Sequence, residues 1–280
     1  MSIVNVKDIV DKKKVSLKRE ILDLRDKGII PKLAVILAND VEASKIYVSR
    51  KRKLCQELGI DETEYLFDKK VTTEELLSVI DKLNHDEEID GILVQLPLFK
   101  HLDESKIIDS ILPEKDVDGF SAVNVGKLYE GKPSVVPCTP RGILTILKEL
   151  ESDLVGKNAV VVGRSQIVGK PMAALLLNEG MTVTICHSKT TNLPEHTRNA
   201  DVLVVATGVP HLIKDNMIKE GAIVIDVGMS KVKDKLVGDV DTEAVKDKAK
   251  YVTPVPGGVG LTTVFSLAQN VVELSKRRMK

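Results

Sequence analysis

Residues 157–180 read KNAVVVGRSQIVGKPMAALLLNEG. A β-branched run closes at Gly163, a loop carries glycines at 163 and 169, and Pro171 opens an apolar helical stretch. Strand, glycine loop and helix in this order build a turn whose backbone N–H groups can approach an anion, with the positive end of the helix dipole behind them. The spacing is G-x5-G rather than G-x-G-x-x-G, so the pattern draws its meaning from its surroundings. Short β-branched runs at Leu33–Leu37, Gly91–Leu96, Ala159–Val162, Met181–Cys186, Val202–Ala206 and Ala222–Val227 alternate with amphipathic stretches. That alternation is the signature of buried parallel strands in α/β units.

The predicted fold is therefore α/β with two domains, an N-terminal α/β domain and a Rossmann-like domain with a parallel sheet. Turn chemistry concentrates between Pro113 and Pro140, where PEKDVDGF, EGKPS and PCTPRG interrupt the pattern, and this is the expected junction. Residues 1–138 with a returning helix at 262–280 make the first domain, and residues 139–261 make the second. Thr139 is read as a helix cap and Pro140 as the first helical position of the run GILTILKEL. A closing helix is expected over Leu261–Lys280.

The strand after the glycine loop, TVTIC, ends in Cys186, His187, Ser188 and Lys189. An NAD-binding protein places a carboxylate there to hold the ribose 2′-hydroxyl. Here no acid would repel a 2′-phosphate, while Arg164 can pair with one and Ser188 can hydrogen-bond to it, so the loop reads as an NADP site.

The 280 residues carry 41 basic and 41 acidic side chains, 43% hydrophobic residues and no Trp. This is enough apolar content for a packed core and excludes intrinsic disorder. A net charge of zero supplies no overall field toward nucleic acid or anionic membrane, which points to a small-molecule partner. Cys55, Cys138 and Cys186 are odd in number and far apart, so neither a disulfide framework nor a metal site is expected. Charges interrupt every apolar stretch of MSIVNVKDIVDKKKV, and no later run approaches the ~20 apolar residues of a span. A cytoplasmic protein is expected.

In ASKIYVSRKRKLCQELG, apolar residues follow helical spacing through Tyr47, Leu54, Cys55 and Leu58, and Lys51 falls inside that stripe. At ~100° per residue, Lys45, Arg52 and Lys53 point the other way. An inward lysine is either a snorkelling side chain or an ammonium held in a pocket, where burial lowers its pKa. Gln95 closes the run GILVQLP at the carboxyl end of a parallel strand, the edge where ligands bind in open α/β sheets, although a terminal polar residue also serves as a strand cap. Asp118, in KDVDGF, is either a turn aspartate or a carboxylate able to accept two hydrogen bonds from a heterocycle.

Eight motifs stand in order along nearly the whole chain: Y-V-S-R-K at 47–51, V-Q-L-P at 94–97, K-D-V-D-G at 115–119, P-C-T-P at 137–140, V-V-G-R-S-x-I-V-G-K-P at 161–171, C-H-S-K-T at 186–190, V-V-A-T-G at 204–208 and P-G-G-V-G at 256–260. Together they resemble the bifunctional methylenetetrahydrofolate dehydrogenase/cyclohydrolase family. The resemblance implies NADP-dependent oxidation of 5,10-methylenetetrahydrofolate to the 5,10-methenyl cation and hydrolysis of that cation to 10-formyltetrahydrofolate. It also implies a homodimer, with Lys51 as the main catalytic group, Gln95 tuning it, Tyr47 packing along the folate and Asp118 anchoring the pterin. Val94, Leu96 and Pro256, Gly257, Gly258, Val259 and Gly260 would lie beside the folate, and Gly163, Arg164, Ser165, Ser188 and Met229 would line the NADP site. The chain departs from the family pattern at Leu98-Phe99, where a second proline is common, at Met229, where isoleucine is typical, and at Leu261-Thr262, where Pro-Met is usual. Losing that proline is expected to loosen the start of the closing helix.

Overall fold

In the computed structural model, which describes residues 2–279, the chain clusters into two compact units. One comprises Lys12–Lys127, Pro133–Cys138 and Val264–Lys280, and the other Met1–Asp11, Leu128–Lys132 and Thr139–Thr263. In chain order the first half runs α1 (Val6–Asp26), β1 (Lys32–Leu37), α2 (Glu42–Leu58), β2 (Asp61–Leu66), α3 (Thr73–His85), β3 (Gly91–Gln95), α4 (Glu104–Asp109) and α5 (Ala122–Tyr129). The second half runs α6 (Cys138–Leu150), β4 (Asn158–Val162), α7 (Gly169–Asn178), β5 (Thr182–Cys186), α8 (Leu193–Thr197), β6 (Val202–Val205) and β7 (Ile223–Asp226). It closes with a hairpin of β8 (Ser230–Val232) and β9 (Lys235–Val237), then α9 (Thr242–Val245), β10 (Tyr251–Val252) and α10 (Val259–Ser275).

The first unit holds a parallel sheet in the order β2-β1-β3, with Leu33 opposite Gly91 and Leu37 opposite Gln95. Ala34, Ile36, Ile92 and Val94 pack with Leu76, Ile80 and Leu83 of α3 and Ile107 of α4. Burying each large side chain of this kind contributes roughly 1.5 to 3 kcal/mol relative to exposure. α3 starts where Thr72 and Glu75 cap each other reciprocally, and α2 stops at Gly59, whose φ of 86° suits a residue without a side chain.

The second unit is built on five parallel strands in the order β10-β7-β6-β4-β5. β6 and β7 are buried throughout, and β4 is buried beyond its first residue. The chain moves outward from β4 to β5 and then returns past β4 to β6. Such a reversal opens a crevice at the carboxyl ends of the strands, where doubly wound sheets bind ligands.

All six expected strands form, with ends within a residue of the reading, and three further features appear: β2, the β8–β9 hairpin and the two-residue β10. α6 starts at Cys138, so Thr139 and Pro140 lie within its first turn and Thr139 is not the cap. Its hydroxyl meets that of Thr263 at 3.2 Å instead. α10 begins at Val259, before Leu261, and ends at Ser275 in a short 3-10 turn over Lys276–Met279; Lys280 lies outside the described residues. The Leu261 amide donates to the Gly258 carbonyl at 3.0 Å, a bond that proline would lack, so this departure brings its own anchor. Among the described residues no helix is long and apolar enough to cross a membrane.

Candidate active site

The inward face of α2 consists of Ser44, Val48, Lys51, Leu54, Cys55 and Leu58. Lys51 is only 6% exposed. Its Nζ donates to Gln95 Oε1 at 2.9 Å and stands 5.1 Å from the centroid of the half-buried Tyr47 ring, one turn back on the helix. Gln95 is held in turn, because its Nε2 donates to the Leu96 carbonyl at 2.8 Å. Burial pushes the Lys51 pKa below the ordinary lysine value, and the opposite charge of Asp118 works against that shift. Gln95 offers hydrogen-bond acceptance without a full charge, so it orients the amine without locking a proton onto it. Burial raises the pKa of Asp118, and Lys51 opposes the rise.

Asp118 reaches this neighbourhood because its segment runs along the outer edge of β3. Ile92 donates its amide to the Lys115 carbonyl at 2.7 Å and forms a parallel bridge with Asp116. A Cβ at Gly91 would collide with Val117, so glycine at that position admits the segment. Three further polar residues fix the loops. Asp116 is buried and accepts from the amides of Gly119 (2.9 Å) and Ser121 (2.8 Å) and from Asn124 Nδ2 (3.0 Å). Asn270 of α10 donates to the carbonyls of Val117 at 2.7 Å and Val136 at 2.9 Å. Asn39, just past β1, donates to the Pro97 carbonyl at 2.7 Å and accepts the Val41 amide at 2.9 Å, tying the loop after Gln95 to the start of α2. The sequence reading missed all three. Asp116 carried a signal in the doubled aspartate of KDVDG, whereas Asn39 and Asn270 stand alone in their segments.

Val94, one of the expected folate neighbours, is buried in the apolar core, and Leu96 is half-buried. Pro256–Gly260 belong to the five-stranded unit, where Gly257 has φ 97° and a Cβ at Gly258 would collide with the Pro254 carbonyl.

At the carboxyl ends of β4, β5 and β6 lies a cavity of about 490 Å³ whose lining includes Gly163, Arg164, Ser165, Ser188 and Thr207. Gly163 has φ 133°, and a Cβ there would run into the Ala206 carbonyl; one at Gly169 would run into that of Gly163. The loop is therefore packed as tightly as backbone allows, as a pyrophosphate cradle requires. Helix α7 begins at Gly169, two residues before Pro171. Ser165 already engages its first amides: Oγ accepts from Val168 at 3.2 Å and Gly169 at 3.3 Å, and its carbonyl accepts from Lys170 at 3.0 Å. Arg164 and Ser188 are exposed at the cavity, a donor pair suited to a phosphate, and no carboxylate follows β5. The residues thus fit NADP. Met229, beyond β7, is 55% exposed.

A glycine-tight dinucleotide cradle and a buried lysine on a second α/β unit define a two-domain nicotinamide-nucleotide dehydrogenase. The chain belongs to the tetrahydrofolate dehydrogenase/cyclohydrolase family, whose catalytic domain matches residues 4–118 and whose NAD(P)-binding domain matches residues 137–279. It is 52% identical over 275 residues to the bifunctional protein FolD of an Exiguobacterium species, covering 98% of this chain and 99% of the relative. The crystal structure of the bifunctional FolD enzyme of Campylobacter jejuni superposes with a TM-score of 0.97 at 48% identity, covering 99% of each chain. That of the Trypanosoma brucei enzyme, complexed with NADP cofactor and inhibitor, superposes with a TM-score of 0.94 at 36% identity, covering 99% of this chain and 98% of the other.

Proposed function

We propose that the protein oxidises 5,10-methylenetetrahydrofolate to 5,10-methenyltetrahydrofolate with NADP and hydrolyses the methenyl cation to 10-formyltetrahydrofolate. The observation that carries this reading is Lys51, buried on α2 and hydrogen-bonded to Gln95. When bound, NADP accepts the hydride. Everything else falls to the chain's own side chains. Asp118 accepts hydrogen bonds from the amino and ring N–H groups of the pterin, Tyr47 packs along it, and Lys51 lies within reach of the one-carbon unit. In hydrolysis a water adds to the methenyl carbon as the C=N π electrons move onto nitrogen and gives up one proton; the C–N5 bond then breaks, the formyl C=O forms, and the remaining hydroxyl proton ends on N5. An amine whose pKa burial has lowered is suited to take the first of these protons at Nζ, and Gln95 keeps the amine aimed.

On this reading Val94, Gln95 and Leu96 at the end of β3 contact the folate, and Pro256–Gly260 are further folate-contacting residues. Gly163, Arg164, Ser165, Ser188 and Met229 hold NADP, with Arg164 and Ser188 on the 2′-phosphate. The protein works in the cytoplasm as a homodimer. Three buried cysteines outside any disulfide suit a reducing compartment, and β2, which carries the exposed apolar side chain of Leu66, leaves one edge of its sheet unpaired among the described residues. Incubating purified protein with methylenetetrahydrofolate and NADP tests the function. Methenyl absorbance and 10-formyl product should both appear, and a protein that forms neither is not this enzyme.

A further inference from the structure

Two carboxylates in the five-stranded unit are fully buried, and the chemistry above does not use them. Asp226 ends β7 and Asp239 follows β9, and both are 0% exposed. They act in series. Asp226 Oδ1 accepts from the amides of Gly228 at 3.0 Å and Asp239 at 2.9 Å, and its Oδ2 accepts from Val240 at 2.9 Å. Asp239 Oδ2 in turn accepts from the Thr207 amide at 2.5 Å, the Thr207 hydroxyl at 2.8 Å and the Gly208 amide at 2.9 Å. A Cβ at Gly228 would collide with the Asp239 carboxylate, and one at Gly238 with that of Asp226, so two glycines make room for the pair.

Burying a carboxylate is costly unless hydrogen bonds compensate it, and each of these accepts three, which fixes the backbone that donates them. What they hold is the wall of the nucleotide cavity, since Ala206, Thr207 and Val209 line it, and the Ala206 carbonyl closes against Gly163. Asp239 Oδ1 has no hydrogen-bond partner, so the side chain is spent on this one loop. We propose that Asp239 is a positioning residue for the nicotinamide nucleotide, fixing the Thr207–Gly208 backbone through one carboxylate oxygen, with Asp226 setting the Asp239 backbone behind it. The inference rests on the NADP reading of that cavity.

The test measures NADP affinity by titration alongside the KM for methenyltetrahydrofolate in the hydrolytic half-reaction, which consumes no NADP. Asp239→Ala should weaken NADP about tenfold or more and leave the methenyl KM within about twofold, because three charge-assisted bonds are lost on the nucleotide side only. Asp239→Asn keeps an acceptor oxygen without the charge and should weaken NADP only about threefold. A folded Asp239→Ala protein that binds NADP as the unmodified one does, or that loses both affinities alike, overturns the proposal. Should Asp239→Ala fail to fold, Asp239→Asn decides: unchanged NADP affinity overturns it, and a selective loss supports it. Unmodified protein that binds no NADP overturns the functional reading itself, a result distinct from a normal protein with an indifferent variant.

Discussion

Whether a buried lysine can serve as a proton carrier turns on what faces it. A carboxylate at hydrogen-bond distance would hold the ammonium charged, whereas the Gln95 amide accepts its hydrogen bond in either protonation state, leaving burial to dominate over the opposing charge of Asp118. Lys51→Met retains length and an apolar stem while removing the amine. Hydrolysis of supplied methenyltetrahydrofolate should fall by ~100-fold or more, the usual scale of lost acid–base catalysis, while oxidation, which needs no protein proton at the reacting carbon, keeps a larger share of its rate. A paired assay of both half-reactions, with circular dichroism to confirm folding, checks this; hydrolysis at the unmodified rate would leave Lys51 a packing residue. The inward aim of Lys51 and the strand-end place of Gln95 were legible from helical and strand periods, because those periods fix side-chain direction. Neither Asn270 nor Asn39 was legible, since each acts on backbone carbonyls contributed by distant segments.

The elements themselves were readable where burial is continuous. β6 and β7 are covered on both faces and appear as unbroken apolar runs. β2 reads DETEYL, half-exposed at the sheet edge, and its charges hide it from any search for apolar strands. Those same charges make a prediction. Glu62 and Glu64 project from one face of β2 beside Arg52 of α2, and burial together with the like charge of Glu64 raises the Glu62 pKa to about 7. A carboxyl raised in the folded state contributes stability below its unfolded pKa that is lost as pH climbs through about 7. Glu62→Gln, neutral throughout, should therefore be more stable than the unmodified protein at pH 8.5 and nearly equal to it at pH 5. After allowing for solvent and for Arg52, the gain at high pH is roughly 1 to 2 kcal/mol, a rise of several degrees in Tm. Thermal unfolding at the two pH values checks it, and equal shifts at both would show that the carboxyl does not titrate as described.

On the proposed reading the two compact units carry two kinds of recognition, with Arg164 on the nucleotide and Asp118 on the folate, and only one of the two reactions calls on both. Oxidation needs NADP and folate together, whereas hydrolysis needs folate and water. Variants on the two sides should separate accordingly. Arg164→Ala removes a charged partner for the 2′-phosphate, and a charge-assisted bond of about 1.5 to 3 kcal/mol corresponds to a loss of about 10-fold to 100-fold in NADP affinity. NAD, which has no 2′-phosphate, should be used almost as before, and the hydrolytic rate should not move. Asp118→Ala acts on the other side, leaving pterin donors unpaired at a cost of about 1 to 3 kcal/mol. It should raise the KM for folate in both half-reactions while NADP binding stays intact. Measuring the two variants against both half-reactions and both nucleotides gives a pattern that no general loss of stability reproduces, because unfolding would depress every rate and affinity together. An Arg164→Ala protein that weakens NAD and NADP alike would show that the arginine supports the loop rather than reading the phosphate. Unchanged folate affinity in a folded Asp118→Ala protein would return Asp118 to the role of a turn residue, held where it is by Asp116 and Asn270 for the sake of the loop alone.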